Sequence, residues 1–313
     1  MRLGVLDVGS NTVHLLVVEA RPGAHPWPAH SEKSMPRLAE RIGPDGALTP
    51  AGIDALVTAV AEAKASADRL DIEDLVAFAT SAVRDATNSA WVLDRVRGET
   101  GVHLRVLSGA DEARMTFLAA RRWFGWSAGR LLVLDIGGGS LEGAAGIDED
   151  PAVALSLPLG AGRLTREWLG PEPGGGAPSA KAVEDLREYV DAALRPMVTE
   201  LTRVGWDRPV ATSKTFRMLA RLAGAAPSGA GLWVRRKLTR SDLRQVLDFT
   251  RHIPPARLVE LDGVNAGRAP QLLAGAVVAE TVMRRLGVQS LDICPWALRE
   301  GMILDRLAHL AAP

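Results

Sequence analysis

The chain has 313 residues, more than one hydrophobic core usually serves, so two domains are the first expectation. Hydrophobic residues make up 47% and charged residues 24%, values that exclude an intrinsically disordered chain. Lys plus Arg (37) balances Asp plus Glu (37), which excludes a non-specific nucleic-acid or membrane-surface binder; a polyanion would have to be met by a local site.

The first element is an apolar run, Arg2 to Val8, that ends in Asp7-Val8-Gly9-Ser10-Asn11. A second run, Val13 to Glu19, follows at once, and the pair around a Gly-Ser-Asn turn predicts a β-hairpin. The chain enters this strand without a charged-then-apolar leader, and no apolar run approaches the ~20 residues of a membrane span. A soluble, cytoplasmic protein is therefore expected. Thr49-Pro50 opens a helix as N-cap and first helical residue, with Ile53, Leu56, Val57 and Val60 on its apolar face. Asp74 to Thr80 reads as a strand, Ala86 to Arg97 as a helix, Val102 to Leu107 as a strand and Ala110 to Phe124 as a helix. Such alternation predicts an α/β architecture.

Gly125 to Gly129 breaks the pattern, and boundaries of 1–126 and 127–313 follow. Arg130 to Ile136 is a buried strand that turns through Gly137-Gly138-Gly139 into a second strand, Ser140 to Ile147. This repeats the opening unit: apolar strand, Asp, branched aliphatic, glycine turn, strand. Self-similarity about 128 residues apart implies two domains of related fold, facing each other across a cleft. Gly170 to Pro178 reads as a flexible surface loop. A long helix carries Val183, Leu186, Val190, Leu194, Met197, Leu201 and Val204, with a kink at Pro196. Leu272 to Leu286 is a helix whose Ala274-Gly275-Ala276 permits close backbone approach; Gln289 to Ile293 is the last strand and Ala297 to Leu310 the closing helix. The single cysteine, Cys294, reads as a buried structural thiol. Trp91, Trp123, Trp126 and Trp296 adjoin apolar runs and are expected in the core or at a dimer surface.

The two glycine turns carry the chemistry. Consecutive backbone N–H groups in a tight turn converge on an anion, and glycine allows close approach and positive φ. Gly9, Ser10, Asn11 and Thr12 form the first candidate phosphate site, and Gly137, Gly138, Gly139 and Ser140 the second. Asp7 and Asp135 stand where the strands open toward the turns. Glu142, two positions past Ser140, shares its face. The three acids are candidate ligands for a divalent cation bridging phosphate oxygens.

Asp7-Val8-Gly9-Ser10-Asn11-Thr12 and Asp135-Ile136-Gly137-Gly138-Gly139-Ser140-Leu141-Glu142 resemble the two phosphate motifs of the exopolyphosphatase and guanosine pentaphosphate phosphohydrolase family (Ppx/GppA). Four further blocks are similar to that family in order: Thr80-Ser81-Ala82-Val83-Arg84-Asp85-Ala86-Thr87-Asn88, Ser108-Gly109-Ala110-Asp111-Glu112-Ala113-Arg114, Ala211-Thr212-Ser213-Lys214-Thr215 and Ala297-Leu298-Arg299-Glu300-Gly301. The resemblance implies two ribonuclease-H-like domains of the actin-like ATPase superfamily around a cleft. It implies Glu112 as the base that activates water and Arg84 as the arginine on the substrate phosphate. Ser213, Lys214 and Thr215 would add a third phosphate turn, Arg268 a further substrate contact, and Mg²⁺ (or Mn²⁺) the cofactor. A homodimer is the family-based expectation. The chain matches the short form of the family, which implies a preference for short polyphosphates.

The departures are specific. Asp111 stands where the family has a first Glu, Leu141 where it has threonine, and Lys214 where the third turn carries glycine. Lys214 either adds a phosphate contact, the favoured reading, or changes the turn. Asp292-Ile293-Cys294-Pro295-Trp296 differs from the family's serine and glycine. The favoured activity is hydrolysis of the terminal phosphate of inorganic polyphosphate, with no nucleic-acid or membrane partner. Guanosine penta- or tetraphosphate, as substrate or inhibitor, is the alternative. A non-catalytic polyphosphate or nucleotide sensor remains a different class, and a sugar kinase lacks a visible sugar-binding block.

Overall fold

In the computed structural model, which describes residues 1–20, 27–170 and 175–311, the contacts divide the chain into two units. The first comprises Met1–Met115 with Leu298–Pro313, and the second Thr116–Ala297. These limits differ from 1–126 and 127–313. The break predicted at Gly125 to Gly129 ends a helix, but the division falls inside that helix, and the closing helix packs on the first unit.

The first unit is built on a five-stranded sheet of order β3-β2-β1-β4-β5. The predicted hairpin forms as β1 (Arg2–Val8) and β2 (Val13–Glu19), antiparallel, with Asp7 opposite His14. β3 (Trp27–Ser34) adds an antiparallel edge, which polarity and exposure concealed in the sequence. Thr49 caps α1 (Pro50–Arg69) as predicted, its hydroxyl accepting from the Gly52 N–H at 3.2 Å. β4 (Asp74–Ala79) runs parallel to β1 and leads into the short α2 (Ser81–Arg84).

The helix predicted over Ala86–Arg97 is α3 (Ser89–Thr100), ended by Gly101 at φ 70°. Its start is set back because the Asn88 amide is bound in both directions to the Leu48 backbone. The strand predicted over Val102–Leu107 pairs only at β5 (Arg105–Val106). One sheet face buries Leu6, Val8, Leu15 and Val17 with apolar residues of α1 and α3. The other buries Leu3, Val5, Leu16 and Val18 with Met302 and Ile303 of the closing helix, α11 (Leu298–Ala311).

Gly301 explains how α11 seats there. A Cβ at this position would lie 1.9 Å from the Met115 carbonyl oxygen, in α4 (Gly109–Phe124), so only glycine fits.

The second unit has a six-stranded sheet, β10-β11-β9-β6-β7-β8. β6 (Leu131–Ile136), β7 (Leu141–Gly146) and β8 (Val153–Leu157) form an antiparallel meander. β9 (Arg208–Thr212) is parallel to β6, and β11 (Ser290–Ile293) is parallel to β9. β8-β7-β6-β9-β11 thus repeats the order of the first sheet, with β10 (Lys237–Thr239) added antiparallel at the edge. The repeat foreseen from two short motifs extends to whole-sheet topology.

The helical stripe from Val183 to Val204 is two helices, α6 (Ala180–Ala193) and α7 (Arg195–Val204), with Pro196 in the first turn of the second. Proline has no N–H to continue the ladder, so the predicted kink is a break. α5 (Ala161–Trp168), α8 (Ser213–Leu222), α9 (Arg240–Thr250) and α10 (Leu272–Arg285) complete the unit. Gly275 of α10 provides the predicted close approach: a Cβ there would meet Thr215 Cγ2 at 2.6 Å and Ala161 Cβ at 3.4 Å.

Cys294 is fully buried, as its sequence suggested. Trp296 is also buried, but Trp91 and Trp126 are exposed and take no part in the core. Residues 171–174 of the predicted Gly170–Pro178 loop lie outside the described residues. Among the described residues, no helix is long and apolar enough to cross a membrane.

Candidate active site

In the first unit, β1 carries Asp7 to the mouth of the Gly9–Thr12 turn, which closes with the Gly9 N–H on the Thr12 carbonyl at 2.9 Å. Ser10 and Asn11 are buried, and Ser10 Oγ lies 3.1 Å from Ser81 Oγ at the start of α2. The turn is braced from outside by the Ala39 N–H on the Ser10 carbonyl (2.8 Å) and the Arg37 N–H on the Asn11 carbonyl (3.3 Å). Asp7 Oδ2 accepts from Arg299 Nη1 at 3.1 Å.

Arg84, the last residue of α2, donates from Nη1 to the Leu107 carbonyl at 3.2 Å and to Glu112 Oε1 in a short ion pair. Its Nε donates to Asp85 Oδ1 at 2.9 Å. Burial opposes the Arg84 charge, but the carboxylates of Glu112 and Asp85 outweigh it and raise the pKa above the ordinary arginine value. Glu112 is only 7% exposed.

The neighbouring acid has a different task. Ser108 Oγ accepts the Asp111 N–H at 3.1 Å and donates to Asp111 Oδ2 at 2.7 Å, closing a reciprocal cap on α4. The Ser108 hydroxyl holds the Asp111 carboxyl below its usual range. The shorter acid at this departure from the family pattern thus serves the helix start, and of the two neighbouring acids it is Glu112 that turns to Arg84.

In the second unit, the Gly137–Ser140 turn closes in the same way, the Gly137 N–H meeting the Ser140 carbonyl at 2.9 Å. Neither Gly9 nor Gly137 has positive φ, contrary to expectation, and a Cβ at either would meet the carbonyl oxygen that closes its turn at 3.4 Å, an ordinary contact. The start of α5 is fastened to the second turn. Ala161 N–H reaches the Gly137 carbonyl (3.0 Å), Arg163 N–H the Gly138 carbonyl (2.9 Å) and Arg163 Nε the Gly139 carbonyl (3.0 Å). Gly160 permits this, since a Cβ would fall 2.2 Å from the Gly139 carbonyl carbon.

Asp135 and Glu142 stand opposite each other across β6 and β7, and Ser156 Oγ donates to Glu142 Oε1 at 2.8 Å. Two adjacent carboxylates are what Mg²⁺ commonly takes from a protein, waters and phosphate oxygens supplying the rest, so this pair fits the cation. Among the described residues, no group of three or more His, Cys, Asp or Glu is placed to hold a metal. Asp7 is engaged by Arg299.

The third turn follows β9, where Thr212 lies beside Asp135 in the parallel register. Ser213, rather than Lys214, takes the left-handed backbone, at φ 85°. Its Oγ accepts the Phe216 N–H at 3.3 Å. Lys214 is half-buried and Thr215 buried. Leu141, the other departure near these turns, is wholly buried in the sheet core. Arg268 precedes a short 3₁₀ turn, Ala269–Gln271, that lies against α5, with Thr165 Oγ1 on the Pro270 carbonyl at 3.4 Å.

The model of the Ppx/GppA phosphatase family matches residues 16–310. This chain belongs to that family. A relative named Exopolyphosphatase 1, from Mycobacterium tuberculosis, is 58% identical over 308 residues, covering 98% of this chain and 88% of the relative. The crystal structure of an exopolyphosphatase from Cytophaga hutchinsonii matches with a TM-score of 0.88 at 22% identity, over 99% of this chain and 98% of that one. The Aquifex aeolicus member of the Ppx/GppA family matches with a TM-score of 0.81 at 23% identity, over 100% and 99%. The actin-like α/β fold class expected from the sequence holds.

Four residues that touch the candidate site, Ser81, Arg299, Gly160 and Arg163, carry no role of their own in the sequence reading. A signal existed for the first. Ala79-Thr80-Ser81 recurs as Ala211-Thr212-Ser213, each at the end of the strand parallel to a turn-bearing strand. The reason for the Ala297–Gly301 block lies in the fold. Arg299 pairs with Asp7 and Gly301 seats the helix on Met115.

Proposed function

We propose that the chain is an exopolyphosphatase that removes the terminal phosphate of inorganic polyphosphate. The observation that carries this reading is the part-buried Arg84–Glu112 pair on α2 and α4, in the unit that also holds the Gly9–Thr12 turn. Family membership and the relative named Exopolyphosphatase 1 support it.

The turn N–H groups and the hydroxyls of Ser10 and Thr12 hold phosphate oxygens. Arg84 neutralises charge that develops on the transferred phosphoryl group. Glu112, oriented by Arg84, takes a proton from the attacking water. Oxygen of that water bonds to the terminal phosphorus as the P–O bond to the next phosphate breaks. Orthophosphate and a chain shorter by one unit leave. Asp135 and Glu142 would hold Mg²⁺, which supplies charge neutralisation to phosphate oxygens. In the second unit, the Gly137–Ser140 turn with Ser213, Lys214 and Thr215 supplies further phosphate donors.

Phosphate release with Mg²⁺ from short polyphosphate, long polyphosphate and guanosine pentaphosphate, at matched concentrations of terminal groups, tests the reading. Glu112-dependent release, fastest from short polyphosphate, is the expected result. Faster release from the nucleotide would make the chain a guanosine pentaphosphate 5′-phosphohydrolase. Binding without turnover on any of the three would make it a sensor.

A further inference from the structure

Eight tryptophans against one tyrosine leave a surplus of indoles that phosphate chemistry does not use. Three of them gather in the second unit. Trp123 stacks on Trp233 with ring centroids 4.6 Å apart and planes 17° from parallel, and meets Trp296 edge-on at 5.4 Å. Trp233 is nevertheless 64% exposed, so much of the indole remains accessible to solvent.

Beside this stack lies a cavity of about 510 Å³, walled by Trp123, Phe124, Trp233 and Pro295 with the charged groups Asp207, Arg208, Arg235, Arg236 and Asp292. No residue of the three phosphate turns lines it. Its volume falls within the range of small-molecule sites.

Most of its charges are already committed. Asp207 holds the Arg130 N–H at 2.8 Å, and Asp292 pairs with Arg208 at 3.2 Å, whose guanidinium sits 5.0 Å over the Phe124 ring. Arg236 donates to four carbonyls, those of Ala226, Val234, Pro227 and Gly231, at 2.7–3.0 Å. That guanidinium fixes the loop which presents Trp233 and Arg235, so the aromatic wall is in place before any ligand arrives. Arg235 is exposed and makes no ion pair among those of the described residues. A fixed, exposed indole next to an uncommitted guanidinium matches a ring with a π-face and an attached anion.

We propose that this cavity is a second ligand site, separate from the phosphate turns, for a planar heteroaromatic ring bearing an anionic group, the chemistry of a nucleoside monophosphate. The ring stacks on Trp233 and the anion meets Arg235. Stacking of a base on one aromatic side chain and a single charged hydrogen bond each correspond to roughly a tenfold change in affinity.

Calorimetric titration of the full chain with adenosine 5′-monophosphate tests this. Saturable binding is expected, weakened about tenfold by Trp233→Ala and by Arg235→Ala, and unchanged by Arg84→Ala. Adenosine without its phosphate should bind more weakly and lose sensitivity to Arg235→Ala. Both substituted side chains are exposed, and a thermal melt checks that the variants fold. The inference would be overturned by no saturable binding, by binding indifferent to both substitutions, or by binding removed by Arg84→Ala instead. A change in sedimentation on Trp233→Ala without nucleotide binding would also overturn it, because the face would then join two copies of the chain.

Discussion

Arg299 in the closing helix donates from Nη1 to Oδ2 of Asp7 at 3.1 Å, across 292 residues of sequence. Both side chains are largely buried, so neither charge can recover its water if the other is removed. Asp7→Asn and Arg299→Met should each lower the stability of the first unit, by about 2 kcal/mol. The double variant should lose less than the two single losses combined, by about 1 kcal/mol, in a double-mutant cycle followed by urea unfolding. Strictly additive losses would mean the pair contributes nothing as a pair.

Arg84 and Glu112 make opposite predictions for the two kinetic constants. Glu112→Gln removes the base but also frees Arg84 from a carboxylate that competes with phosphate. kcat should fall by about 10²–10⁴ while KM stays level or drops. Arg84→Ala should raise KM and lower kcat together. A Glu112→Gln enzyme with unaltered kcat would remove Glu112 from the reaction.

Three glycines separate packing from propensity. Gly301→Ala places a Cβ 1.9 Å from the Met115 carbonyl, backbone against backbone, and should destabilise by about 3 kcal/mol or more. Gly160→Ala collides with Gly139 and Ser140 and should weaken phosphate binding at the second turn. Gly98, within α3, has nothing within 4 Å of its hypothetical Cβ, so Gly98→Ala should raise stability by about 0.5–1 kcal/mol. Thermal unfolding orders the three, and a destabilising Gly98→Ala would contradict the open surroundings.

Ser213 holds φ 85°, where side chains other than glycine are strained. Ser213→Gly should therefore stabilise the second unit by about 1 kcal/mol, net of the weak Oγ cap on Phe216. Lys214→Gly, at the family's glycine position, should bring no such gain. Chemical denaturation of both variants decides which residue bears the strain.

Asp111 gives the cap on α4 a pH dependence. Its folded pKa lies below the ordinary aspartate value of 3.8 because Ser108 donates to the ionised form. A lowered carboxylate pKa contributes stability that is complete above 3.8 and fades as pH falls through the folded value. Asp111→Asn should reduce stability at pH 7 and flatten the acid limb of the stability curve below about pH 4. An unchanged acid limb would show that Asp111 is not the titrating cap.

Legibility in the sequence followed local physics. The β1–β2 hairpin and the Thr49 cap were readable because periodicity and turn chemistry are properties of neighbouring residues. β3 was not: its exposed residues, with Trp27, Pro28 and His30 among them, carry no apolar alternation, and only pairing with β2 makes the segment a strand. In the same way, Ala86–Asn88 was read as helix because nothing in the sequence announces that Asn88 will be held by Leu48, 40 residues away.

The amino-acid sequence by itself determined the α/β class, the two related halves and both Asp-glycine turns, since each is written in contiguous residues. It also determined membership of the Ppx/GppA family, through six blocks in order. Tertiary structure alone decided the destination of the closing helix, the pairing of Arg299 with Asp7, the division of labour between Asp111 and Glu112, and the seating of α5 on the second turn through Gly160. The reason is that charge pairing, burial and sub-van-der-Waals approach depend on distances between residues far apart in the chain, and only the folded chain sets those distances.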